Sequence, residues 1–242
     1  MRRDERAWSS VPGWLGAAFA LLFAAQITWH GARAPLTREA SGNLPPAPKA
    51  QALRLAALGE DAAMARLAML YLQSFDLRAG SATPYQRLDY PRLVAWLDAI
   101  LATDPRSGYP LFSAARVYAE TPNAEKARMA LEFVYRKFLE SPDTRWPWLA
   151  HAALLAKHRL QDLALARRYA AAIDRYTTDP GVPSWAKQME IFILEDMNEL
   201  EAAKIMLGGL LASGRIRDPA EARFLRERLE ALEARLRKQP GG

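Results

Sequence analysis

DPRSGYPLFSAARVYAETPNAEKARMALEFVYRKFLESP, running from Asp104 to Pro142, carries a proline near each end, Pro105 and Pro142, 37 residues apart. The interval recurs: Pro180 follows after 38 residues and Pro219 after 39. Twenty-two residues beyond each of the first three prolines stands an alanine, Ala127, Ala164 and Ala202, in the first turns of a helix-like segment. A small residue at one phase of a steady period marks stacked helical hairpins, each exposing an apolar face that the next one covers.

Laid over one another, the three intervals predict three helix pairs. The first joins Ser107–Ala119 to Asn123–Leu139 across Thr121-Pro122, and the second joins Trp146–His158 to Leu163–Tyr176. The third joins Ser184–Asp196 to Glu199–Leu211, with Asn198 expected as the cap of its second helix. After Pro219 a last amphipathic helix is expected to about Lys238, with Phe224, Leu225, Leu229, Leu232 and Leu236 on one face as a lid for the array. Upstream, Lys49–Leu58 and Asp61–Phe75 form a first hairpin, parted by Gly59, with Leu53, Leu55, Leu58, Leu67, Leu70 and Tyr71 as its apolar residues. Asp76–Tyr90 breaks the rhythm as a loop. Pro91–Thr103 restores it, with Leu93, Val94, Trp96, Leu97, Ile100 and Leu101 as the apolar stripe. Alternating Val, Ile and Thr runs are absent, so the expected fold is all-α.

This layout resembles the tetratricopeptide (TPR) repeat, a 34-residue helix-turn-helix unit with a small residue between its helices and a proline closing the second. Trp148 falls on the tryptophan position of that pattern, Tyr118 on its tyrosine, and Ala171 and Gly209 on its second small position, while its leucine-glycine pair is nowhere intact. The extra three to five residues per unit amount to about one turn, expected in the second helices. The resemblance implies a right-handed helical-hairpin solenoid over 49–238: N-terminal helices over 49–104, repeats over 105–218 and a cap over 219–238. It also implies that the first helix of each unit lines a concave protein-binding groove. The residues it places there are Tyr109, Phe112, Arg116 and Glu120; then Trp146, Leu149, Ala153 and Lys157; then Lys187, Ile191 and Glu195. Aromatics flanked by bases suit a peptide or helix of another protein.

The amino-terminal end has a different character. Arg2, Arg3 and Arg6 precede a stretch from Ala7 to Ala32 free of Asp, Glu, Lys and Arg. Residues 11–32, with Trp14 and Trp29 near the ends, are expected as an uncleaved transmembrane helix preceded by a cytoplasmic tail, 1–10. Cleavage after Ala34 is disfavoured by Pro35 at the next position. The bias of positive charge leans towards placing the rest of the chain outside that membrane, in the periplasm of a bacterium, with the same scaffold facing the cytoplasm as the alternative. Four prolines make 33–48 a linker, and 239–242 is expected to fray.

Composition narrows the function classes. The net charge of +6 is spread over mixed-sign helices such as Arg223–Lys238, unlike the one-sided basic faces of nucleic-acid binders. With no cysteine there is no thiolate chemistry. His151 and His158 share a helix but lack further ligands at a telling spacing, so His151 is read as a hydrogen-bonded interior residue and no metal is expected. Glu190, Glu195, Asp196, Glu199 and Glu201 are read as helix-end acids, with catalysis by an all-helical enzyme as the rival reading. Of Trp146-Pro147-Trp148, Trp148 is expected in the core and Trp146 in the groove. No cofactor or catalytic residue is expected. The resulting expectation is a membrane-anchored scaffold that binds another protein in envelope assembly, secretion or biogenesis.

Overall fold

The second helices of the first two pairs begin in the same way, and that beginning sets the register of what packs on them. In the computed structural model, which describes residues 12–32, 44–75, 84–214, 216 and 218–238, Asn123 Oδ1 accepts from the Lys126 N–H at 2.9 Å. Asp162 Oδ1 accepts from the Leu165 N–H, also at 2.9 Å. Each carboxylate or amide satisfies a backbone donor that the first turn would otherwise leave open. Asp89 does the same for Arg92 at 3.2 Å.

Among the described residues there are twelve α-helices and no strand. They are α1 (Gly13–Ala32), α2 (Ala50–Ala57), α3 (Asp61–Gln73), α4 (Tyr90–Thr103), α5 (Tyr109–Arg116) and α6 (Ala124–Glu140), then α7 (Pro142–His158), α8 (Leu163–Tyr176), α9 (Ser184–Lys187), α10 (Met189–Asp196), α11 (Leu200–Ala212) and α12 (Pro219–Lys238). Short 3-10 turns cover Pro84–Arg87 and Tyr118–Glu120. The all-helical expectation holds. The expected tail 1–10, residues 33–43 of the linker, 76–83 of the loop and 239–242 lie outside the described residues.

The chain divides into two compact units, 1–43 and 44–242. The first contains α1, whose Trp14, Phe19, Leu21, Leu22, Phe23, Ile27 and Trp29 are all exposed. Gln26, Thr28, Gly13 and Gly16 dilute its apolarity. Among the described residues no helix is long and apolar enough to cross a membrane.

The second unit starts ahead of the boundary read at Lys49. Leu44 is fully buried, its carbonyl accepts from Arg92 Nη1 at 2.7 Å, and the Pro45 carbonyl accepts from Trp96 Nε1 at 2.9 Å. From there the closest backbone contacts join consecutive helices or helices two apart, as in α4 with α6, α5 with α7 and α8 with α10. The apolar interior follows. One cluster runs from Leu44 to Ile193 and is filled by large side chains such as Tyr90, Tyr118, Phe133 and Phe138. Inside it the Tyr90 hydroxyl donates to the Tyr118 carbonyl at 2.7 Å. A second, smaller cluster joins α10, α11 and α12 through Ile191, Leu194, Leu200, Leu207, Leu225 and Leu232. The seam therefore changes hands at α10: Met189 and Ile193 face the first cluster, Ile191 and Leu194 the second.

Several expectations need correction. Ala127 is buried, but Ala164 is exposed and Ala202 only half-buried; the small residues between the helices are Ala127, Ala166 and Ala203. Each stands four residues after its N-cap, Asn123, Asp162 or Glu199. Burial phase is counted from where a helix starts, whereas prolines measure loops of variable length. The cap of α11 is Glu199, and Asn198 instead takes a left-handed turn, φ 62°, matching Gln161 at φ 54° before α8. The expected first helix Ser107–Ala119 ends in a 3-10 turn, and Ser184–Asp196 breaks at Gln188. The helix expected from Trp146 starts at Pro142, so Pro147 lies inside it, and the extra turn falls in this first helix as well as in α6. In α2 and α3 the expected apolar residues Leu55, Leu58, Leu67 and Leu70 point outward, and Tyr71 is half-exposed with its ring 5.3 Å from that of Trp96; Ala65, Ala68, Met69 and Leu72 form the inner face. Phe224 of α12 is exposed too.

Polar locks tie one pair to the next. Arg145 of α7 is nearly buried, and its guanidinium reaches the Lys137 carbonyl at 2.7 Å, Glu140 at 3.0 Å and the Pro105 carbonyl at 3.4 Å. It closes the carboxyl end of α6, where unpaired carbonyls accumulate. Arg128 meets Asp162, Arg168 meets Glu132, and Arg159 meets Glu120 across the same joints. Asp162 thus has two duties. The Leu165 N–H holds its carboxyl below the usual range, burial opposes this, and the Arg128 guanidinium adds to the depression. A depressed carboxyl stabilises the fold above its unfolded pKa of about 3.9, and that stabilisation is lost as pH falls through the lower folded value. Asp162→Ala is expected to cost about 1 kcal/mol at pH 7. Urea unfolding at pH 7 and in acid should show the gap between wild type and variant closing as the pH falls.

Candidate protein-binding face

The aromatic residues near the start of successive first helices recur at the unit spacing: Tyr109 on α5, Trp146 on α7 and Trp185 on α9. Tyr109 and Phe112 are 40% and 38% exposed, with ring centroids 6.2 Å apart and stacked. Gln73 Nε2, from α3, donates to the Tyr109 hydroxyl at 2.7 Å and fixes that ring from the side. Phe112 meets Trp148 edge-on at 5.8 Å. Trp146 meets Trp185 edge-on at 5.5 Å, and Trp185 is 53% exposed. The two indoles of Trp146-Pro147-Trp148 therefore reach in opposite directions along the array, Trp148 back to α5 and Trp146 forward to α9.

Both indoles are half-buried against the main core, so the expected division into one core and one groove tryptophan does not hold. Room for Trp148 comes from Gly108: a Cβ there would stand 3.3 Å from the indole, closer than side chains ordinarily pack. The rings form two groups, Tyr109, Phe112 and Trp148 in one and Trp146 and Trp185 in the other.

The remaining groove residues divide by register. Arg116 is exposed. Lys157 is half-buried and paired with Asp196, and Glu120 is paired with Arg159. Leu149 and Ala153 are fully buried, because that face of α7 packs between α6 and α8. Ile191 is buried in the second apolar cluster. Glu195 is buried as well, gripped by Arg228 of α12 through Nε to Oε1 at 2.9 Å and Nη2 to Oε2 at 2.8 Å. Leu149, Ile191 and Glu195 are thus withdrawn from the binding surface by their neighbours. Trp185 takes their place; the residues Pro183-Ser184-Trp185 carried the signal, since they repeat the aromatic start of the two earlier units.

Lys187 and Ile191 line a cavity of about 630 Å³ between α9–α10 and the ends of α11 and α12. Met206 and Leu210 make its apolar wall, and Glu221 stands at its polar side, accepting from the buried Gln188 amide at 2.5 Å. This is the size of a small-ligand or side-chain pocket.

Four of the five acids of the acidic stretch form ion pairs, Glu190 with Arg167, Glu195 with Arg228, Asp196 with Lys157 and Glu201 with Lys204, and Glu199 is the N-cap of α11. His151 is half-buried; burial and the Arg116 charge hold its imidazole below the usual range, with Glu120 opposing. Contrary to the hydrogen-bonded interior residue expected, its Nε2 is buried with no partner. Among the described residues no three His, Asp or Glu side chains converge in a way that would hold a metal ion.

The chain matches no family model, no curated protein and no solved structure. The face presents half-exposed aromatic rings with few rotatable bonds to order on binding. Such surfaces lose little entropy when another protein docks on them.

Proposed function

We propose that the protein is a membrane-held, TPR-like solenoid scaffold that binds a segment of another protein on the aromatic face of its first helices. One observation carries the reading. Tyr109, Trp146 and Trp185 recur at unit spacing on α5, α7 and α9 and leave Tyr109, Phe112 and Trp185 open to solvent. The neighbour-to-neighbour packing of α4 to α12 supports the solenoid, since such an array presents each first helix on one side. The proposed anchor over residues 11–32 draws on the sequence from Ala7 to Ala32, which is free of Asp, Glu, Lys and Arg, and on α1, whose large apolar side chains are exposed. In this reading the N-terminus is cytoplasmic and residues 44–242 are periplasmic, where a scaffold serves envelope assembly, secretion or biogenesis. No catalytic role is assigned to the acidic stretch, because Glu190, Glu195 and Asp196 are committed to ion pairs with bases on other helices.

A photo-crosslinking amino acid placed at Phe112 or Trp185 in living cells tests the binding face. Discrete crosslinked species are expected from those two positions. None is expected from Leu139 or Tyr176, equally exposed residues at the ends of second helices α6 and α8. Crosslinks confined to Leu139 and Tyr176, or no crosslink at Phe112 and Trp185, would reverse the assignment.

A further inference from the structure

The two ends of the helical array are finished differently. α12 turns Arg223, Arg226, Glu227, Glu230, Glu233 and Arg237 to solvent, the polar back a terminal element needs. At the other end α2 and α3 expose Leu55 (80%), Leu58 (92%), Leu67 (59%) and Leu70 (62%). On α3, Leu67, Leu70 and Tyr71 follow the three- and four-residue spacing of one helix face, opposite the inner face of Ala65, Ala68, Met69 and Leu72. An apolar face of this kind at the end of an otherwise well-packed domain marks a docking surface.

We infer that the α2–α3 face lies on a lipid bilayer, so that the domain rests against the membrane rather than hanging free of it. This rests on the proposed anchoring by α1. Only residues 33–43 separate the end of α1 at Ala32 from Leu44, which is itself locked into the domain by Arg92. Fully extended, that tether spans no more than about 40 Å. A bilayer that holds α1 is therefore always within reach of α2 and α3, whereas a protein partner or second copy has to arrive by diffusion. Charge does not select an anionic surface: Lys49, Arg54 and Arg66 are offset by Glu60 and Asp61. Attraction is thus apolar, with the leucines entering the acyl boundary and Tyr71 suited to the headgroup level.

The absence of cysteine makes the test direct. The full chain is reconstituted in phosphatidylcholine vesicles, with an environment-sensitive fluorophore on a single cysteine at Phe23→Cys, Leu67→Cys, Leu70→Cys or Arg226→Cys. All four side chains are exposed, so the labels leave the core intact. Labels at 23, 67 and 70 are expected to shift to the blue and to lose fluorescence several-fold with brominated acyl chains, unchanged by salt, while the label at 226 stays in water. Quenching at 23 with aqueous labels at 67 and 70 would overturn the docking and leave the anchor standing. Aqueous labels at 23, 67 and 70 would overturn both. A blue shift at 67 and 70 that brominated lipid does not quench and that grows with protein density would assign the face to a second copy instead.

Discussion

Arg228→Ala is expected to cost about 3–5 kcal/mol, more than removing the carboxylate it binds. The side chain of Glu195 is 6% exposed and that of Arg228 is 40% exposed. Without the guanidinium, a buried carboxylate on α10 keeps, among the described residues, Arg235, whose Nη1 stands 3.8 Å away. With Glu195→Gln, by contrast, Arg228 turns to water, and the loss is about 1–2 kcal/mol. The bidentate pair is also the principal polar tie between α10 and α12, at the place where the apolar seam passes from the larger cluster to the smaller one. Thermal unfolding followed by circular dichroism should therefore split in Arg228→Ala, with α11 and α12 leaving first. A single transition with an unchanged midpoint would mean that the pair contributes nothing.

Phe133→Ala acts on the other cluster. The ring is fully buried on α6 in the larger apolar cluster, which also holds Tyr90, Tyr118 and Phe138. Truncation is expected to cost about 3–5 kcal/mol through lost transfer energy and the cavity left behind. Denaturant unfolding should show a midpoint shifted down without a second transition, since α6 lies in the middle of the larger cluster. The two substitutions thus separate a loss at the joint from a loss in the body of the array.

The helical character of the chain and the positions of most helices were legible, because Ala, Leu, Arg and Glu repeat at helical spacing between proline-marked turns. Register within the helices was not. A proline reports that a helix has ended, but the side a residue faces depends on where the next helix is capped, and Asp162 and Glu199 place Ala166 and Ala203, not Ala164 and Ala202, between the helices. The same shift accounts for Leu149 and Ile191, which are apolar as a binding residue would be and equally apolar as core. Glu195 was misplaced because its partner Arg228 lies 33 residues away on α12, a distance over which sequence offers no pairing signal. Trp185 was readable from the repeated aromatic at each unit start. Leu67 and Leu70 were read as core for a sound physical reason, since apolar spacing shows that a face is to be covered and leaves the covering unspecified.

The neighbour-only pattern of contacts bears on how the chain acquires its shape. Each helix needs just the one or two that precede or follow it, so no segment waits for a partner at the far terminus, and loop-closure entropy stays small at every step. Assembly can begin as soon as the first few helices leave the ribosome and grow by the addition of each helix that follows.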